Sequence, residues 1–136
     1  MKTMLAAYAA AAVTMLGMDA VWLSVAADVL YRPLLGDIML QGFRPVPAIL
    51  FYVLYVMGIV IFAIKPALVT GHWSGAAVKG ALLGFFCYAT YDLTNQATLK
   101  TWSTTVTIVD MGWGTFLTAC AATVGYLAAS RFGRLG

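Results

Sequence analysis

The chain has 136 residues, 62% of them hydrophobic and only 10% charged, with a mean hydropathy of +0.90. A water-soluble domain carries about 25% charged residues, so a surface facing water all round is excluded. The net charge of +3 comes without a basic stripe, which excludes nucleic acid as a partner; the length implies a single domain, 1–136.

A transmembrane helix needs about 20 mostly apolar residues, and four windows qualify. Met1-Lys2-Thr3 followed by an apolar run resembles a secretory signal, but the run continues to Ala27 with no small-x-small cleavage site. It reads as a first retained span over about 5–26. The connection from Ala27 to Arg44 is the longest, and its Tyr31–Gly36 stretch is too apolar for a free loop, so it is expected to fold over at the interface. Pro45, Pro47 and Pro66 bound a second span over about 46–64, because proline is tolerated at a helix start or just past its end. Gly71 to Gly75 reads as a tight connection, with Ser74 as N-cap of a third span over about 76–97. The Thr-rich run from Thr101 to Thr107 leads into a fourth span over about 105–129. No alternation of barrel length appears, and backbone in lipid must satisfy itself internally. The fold expected is all-α: a polytopic membrane protein built as an antiparallel bundle of four transmembrane helices.

Lys2, Lys65, Lys79, Arg131 and Arg134 fall on one side of such a bundle, and Arg32, Arg44 and Lys100 on the other. The bias favours both termini in the cytoplasm. Cys87 and Cys120 lie in apolar context and read as free, buried thiols. With a lone His72 they lack the spacing of a zinc site, so neither metal nor cofactor is expected.

The acids are Asp19, Asp28, Asp37, Asp92 and Asp110, with no Glu. At 1.5 Å rise per residue, Asp19 stands roughly 20 Å into a core about 30 Å thick. Asp92, near the end of the ascending third span, and Asp110, near the start of the descending fourth, reach a similar height. Three carboxylates from three helices therefore share one layer. Gly80, Gly84, Tyr88, Asp92 and Asn95 form one stripe on the third helix, and Gly80-x-x-x-Gly84 permits close helix contact. Asp19-x-x-Trp22 and Asp110-x-x-Trp113 each place an indole on the acid's own face, an aromatic wall beside each acid. Tyr52 and Tyr55 need hydroxyl partners, such as the acids; Trp73 and Trp102 read as interfacial anchors.

Ionisable groups within spans are costly and point to function. The candidate ligand-binding set is Asp19, Trp22, Tyr88, Asp92, Asn95, Asp110 and Trp113, with Asp19, the deepest, favoured most; no catalytic residue is assigned. The competing reading is polar glue, with Asp92 or Asp110 paired to Arg32, Arg44 or Lys100.

Tyr91-Asp92-Leu93-Thr94-Asn95, then Ala97-Thr98-Leu99, Trp102 and Asp110-x-x-Trp113-Gly114, resemble the signature of a bacterial family, DUF2177. Asp19-x-x-Trp22-Leu23 and Phe51-Tyr52-x-x-Tyr55-x-x-Gly58 resemble it too. The resemblance implies a four-helix protein of the bacterial inner membrane and carries no activity with it.

The function expected is a small integral inner-membrane protein with an acidic pocket in the outer half of the bundle. It would bind a small cationic or lipid head-group ligand, or serve as an accessory subunit. Its surroundings would be membrane lipids and either a homo-oligomer or a larger membrane complex. The alternatives are a small proton-coupled transporter using Asp19 and a lipid-modifying enzyme. The enzyme is disfavoured, because no nucleophile–base pair or His-rich set is evident.

Overall fold

The computed structural model describes residues 1–135; the side chains of Arg134, counted in the charge balance above, and of Leu135 lie outside the described residues, as does Gly136. Helix dominates, in four rods. The first is α1 (Lys2–Ala26), a π-helical turn (Ala27–Tyr31), α2 (Arg32–Leu35) and a 3-10 turn (Gly36–Ile38). The second is α3 (Pro45–Ile59), another π turn (Val60–Ile64) and α4 (Lys65–Thr70). The third is α5 (Trp73–Thr98) and the fourth α6 (Thr104–Leu135).

Three helical runs, Lys2–Ile38, Pro45–Thr70 and Thr104–Gly133, are long and apolar enough to cross a membrane. α5 has the length, at 26 residues, but not the hydropathy of the other three, because Lys79 sits in its first half and Asp92, Asn95 and Gln96 in its second. Large apolar side chains such as Val13, Val29, Phe62 and Val69 are exposed on the outside of the bundle, as expected where the solvent is lipid rather than water.

Two boundaries differ from the expectation, for one reason. The stretch from Ala27 is helical to Ile38 rather than a folded-over loop, and the second rod runs through Pro66 to Thr70. A proline inside an α-helix clashes with the carbonyl four residues back and lacks an N–H. Four residues before Pro33 is Val29, and four before Pro66 is Phe62; each lies inside a π turn. The wide turn makes room for the ring, and the helix continues. The connection to α5 is also shorter than Gly71–Gly75. Gly71 adopts φ +78° and closes α4 by donating to the Ala67 carbonyl at 2.8 Å. α5 then starts at Trp73 after His72, with no side-chain cap. Ser74 is already inside the helix and is not its N-cap.

Each rod buries a row of residues four apart. In α1 the row is Ala7, Ala11, Met15 and Asp19; in α5 it is Ala76, Gly80, Gly84 and Asp92, with Tyr88 half-buried between. The second rod buries Tyr55, Ile59, Ala63 and Ala67, and α6 buries Asp110, Gly114, Thr118 and Ala122. Small residues along such rows let backbones approach. A Cβ on Gly80 would lie 2.7 Å from the Ala122 Cβ and 2.8 Å from the Thr118 carbonyl. One on Gly84 would strike the Gly114 carbonyl, so α5 and α6 pack antiparallel and nearly backbone to backbone. α6 also packs along α1, and a Cβ on Gly125 would lie 3.0 Å from the Ala7 carbonyl. The second rod meets α5 mainly through the Val60–Ile64 turn and α4, while α3 leans on α1.

Candidate functional site

The acids of three helices end up buried because each occupies a packing row. Asp19, Asp92 and Asp110 are 9%, 0% and 8% exposed, whereas Asp28 and Asp37 are exposed on the first rod's extension. Asp28 pairs with Arg32 at 3.1 Å, the sole ion pair among the described residues. Neither Arg32, Arg44 nor Lys100 therefore clamps Asp92 or Asp110.

Asp19 is fully engaged by protein. Its Oδ2 accepts a hydrogen bond from the Tyr52 hydroxyl, and its Oδ1 accepts from Trp113 Nε1 at 3.2 Å. Asp110 Oδ1 accepts from the Tyr31 hydroxyl, and that oxygen accepts in turn from Trp22 Nε1 at 3.1 Å. The two indoles stack, with centroids 4.5 Å apart and planes 10° from parallel. Each Asp-x-x-Trp indole thus serves the other helix's acid, directly for Trp113 and through Tyr31 for Trp22. This corrects the expectation of an aromatic wall beside each acid's own motif. Tyr31 is the last residue of the first π turn, and its hydroxyl reaches from the first rod to α6.

Asp92 differs. It has no exposed surface, and neither of its oxygens has a hydrogen-bond partner. The antiparallel register that sets Gly84 and Tyr88 against Gly114 brings it, one turn further on, opposite Asp110. An ionised Asp92 is an acceptor with no donor. Such a group in a membrane interior is costly unless something supplies charge or N–H.

Two hollows meet at Asp110. One, of about 330 Å³, is walled by Phe51 and Tyr55 of α3, Cys87, Tyr88 and Tyr91 of α5, and Asp110. The other, of about 210 Å³, lies toward the rod ends and includes Tyr31, Tyr91, Trp102 and Asp110. Tyr91 borders both and sits edge-on to Trp102, with centroids 5.9 Å apart. No group of three Asp, Cys or His among the described residues is placed to hold one metal ion.

Residues 4–127 match the family described as "Predicted membrane protein (DUF2177)". The chain belongs to that family. No curated protein and no solved structure matches it. The matched range of this DUF2177 member contains all seven candidate residues. The structure brings Asp19, Trp22, Asp110 and Trp113 into one connected network, sets Asp92 against Asp110, and places Tyr88 in the wall of the larger hollow. Tyr88 lies against Gly114, where a Cβ would strike its ring. Asn95 is half-buried one turn beyond Asp92 and lines neither hollow.

The partners missed from the DUF2177 sequence are Tyr31 and Thr118. Tyr31 belonged to a stretch read as loop. Thr118, whose hydroxyl lies 2.7 Å from that of Tyr55, sits two steps of four after Asp110, so its row was there to be read. Tyr52 does find an acid, whereas Tyr55 finds a threonine. Trp102 is half-buried and donates to Thr107 Oγ1 at 2.9 Å. Cys87 and Cys120 are free, but Cys87 is exposed rather than buried.

Proposed function

We propose that this membrane protein binds a small cation bearing N–H donors at the Asp92–Asp110 carboxyl pair. The observation that carries the reading is Asp92, buried and without a donor, opposite Asp110, which is the carboxyl that lines a ligand-sized hollow. An ammonium on Asp110 supplies the counter-charge that both acids lack, and donors beyond the Tyr31 hydroxyl. The aromatic rings around the hollow favour a cation as well.

Within the original set, this reading moves the ligand contact from Asp19 to Asp92 and Asp110. Asp19 has a donor on each oxygen and ties α1 to α3 and α6. The transporter alternative rests on an exchangeable Asp19, and its engagement by Tyr52 and Trp113 favours binding over it. The proposed setting is the bacterial inner membrane with both termini cytoplasmic, which puts the carboxyl pair in the outer half.

The test is thermal unfolding of the protein in lipid nanodiscs. Ethylammonium is expected to raise the midpoint of the wild type in proportion to occupancy, and not that of Asp92→Asn. A wild-type midpoint unmoved by ethylammonium up to high millimolar concentration would refute the proposal.

A further inference from the structure

The larger hollow opens sideways. α3 stands off α5 above the Val60–Ile64 turn, because the second rod contacts α5 chiefly through that turn and α4. The residues walling the gap are partly uncovered: Phe51 is 45% and Tyr91 57% exposed, and Cys87 is exposed between them. This side of the bundle faces the membrane, not the ends of the rods. A volume of about 330 Å³ is about ten times the share of one water in the liquid, ~30 Å³. A bare ion would leave most of it empty. Its walls are four aromatic rings and a thiol, with a single carboxyl at the back.

We infer that the occupant is a primary alkylammonium amphiphile that enters from the bilayer between α3 and α5, its head on Asp110 at the back of the hollow and its chain leaving through the gap. This rests on the carboxyl pair as cation site and adds the chain, the route and the head chemistry. Asp110, the one carboxyl on the hollow, selects the head. It accepts N–H donors, which a primary ammonium has and a trimethylammonium lacks. The chain gains little by exchanging lipid for the aromatic wall, since both are apolar. Its effect is to concentrate the amine at the depth of the gap, far above the level that a small amine reaches from water.

The experiment compares decylammonium, decyltrimethylammonium, decanol and ethylammonium as stabilisers in nanodiscs, with wild type and Cys87→Trp. Decylammonium is expected to act at about a hundredfold lower total concentration than ethylammonium, as membrane partitioning of its chain predicts. Decyltrimethylammonium and decanol should leave the midpoint unmoved. Cys87→Trp fills the gap, so it should lose the decylammonium response while its ligand-free midpoint stays near that of the wild type, which reports that the variant is folded; Cys87→Phe serves if Trp disturbs packing.

An undiminished decylammonium response in Cys87→Trp, with ethylammonium also active, overturns the lateral route and leaves the carboxyl site standing. Equal stabilisation by decyltrimethylammonium overturns the choice of head group. Silence from every amine overturns the site itself. Efficient Cys87–Cys87 cross-linking in membranes of a Cys120→Ala protein would show that a second copy fills the gap, and would also overturn the proposal.

Discussion

Asp19 and Asp92 occupy the same buried layer with opposite surroundings, and single substitutions should separate them. At Asp92 an amide can donate to Asp110, so Asp92→Asn is expected to stabilise the ligand-free protein by about 1–3 kcal/mol, the usual cost of an unsatisfied buried polar group. At Asp19 the donors are already present. Tyr52→Phe removes one and should destabilise by about 1–3 kcal/mol. Denaturant titration in mild detergent measures both, and a destabilised Asp92→Asn would count against the unpaired-acid description. That the acids of three helices stand at one level of the bundle was legible in the sequence, because rise per residue converts position into height. The identity of their partners was not. Trp22 and Trp113 share faces with their own acids, and nothing in three-residue spacing announces that each indole would cross to the neighbouring helix.

Rows of four give the rods their contacts, and they vary in tolerance. Gly84→Ala pushes a methyl into the Gly114 carbonyl and should cost about 1–3 kcal/mol or more, as overpacking does. Gly112→Ala, with nothing within 4 Å, should be harmless. The same unfolding measurement separates them. The α5 row was readable as Gly80, Gly84, Tyr88 and Asp92; the matching rows in α1 and α6 were equally present and went unread.

The π turns could not be read from a 3.6-residue period. A row of four drifts about 40° per step in a regular helix, so Tyr55 to Ala67 would rotate by about 120°. The Val60–Ile64 turn absorbs much of that drift and keeps both halves of the rod facing inward. Deleting one residue from it should turn Tyr52 and Tyr55 away by about 100°, losing their contacts to Asp19 and Thr118 while α4 stays seated. Faster hydrogen exchange confined to α3 would register this.

At the scale of the whole molecule, α-helical class and four rods followed from composition and hydropathy, and the antiparallel order from short connections. The third rod was the least secure, because the polar residues that make it interesting dilute its hydropathy. Lys2 and Phe132 lie close together, so the two ends of the bundle are distinct, and the proposed orientation is testable. Reporter fusions at Lys2 and Arg131 should both read cytoplasmic, and one at Gly42 should read external; the reverse pattern would place the carboxyl pair in the inner half.

The bond between Asp19 and Trp113 spans 94 positions of sequence, and that separation has a consequence for biogenesis. As the protein is made, the first helix must wait in the bilayer, its acid held by Tyr52 alone, until the last helix is inserted. Molecules halted after α5 are expected to be cleared by proteolysis. Supplying α6 as a separate polypeptide, cut at Leu99–Ser103, should rescue them.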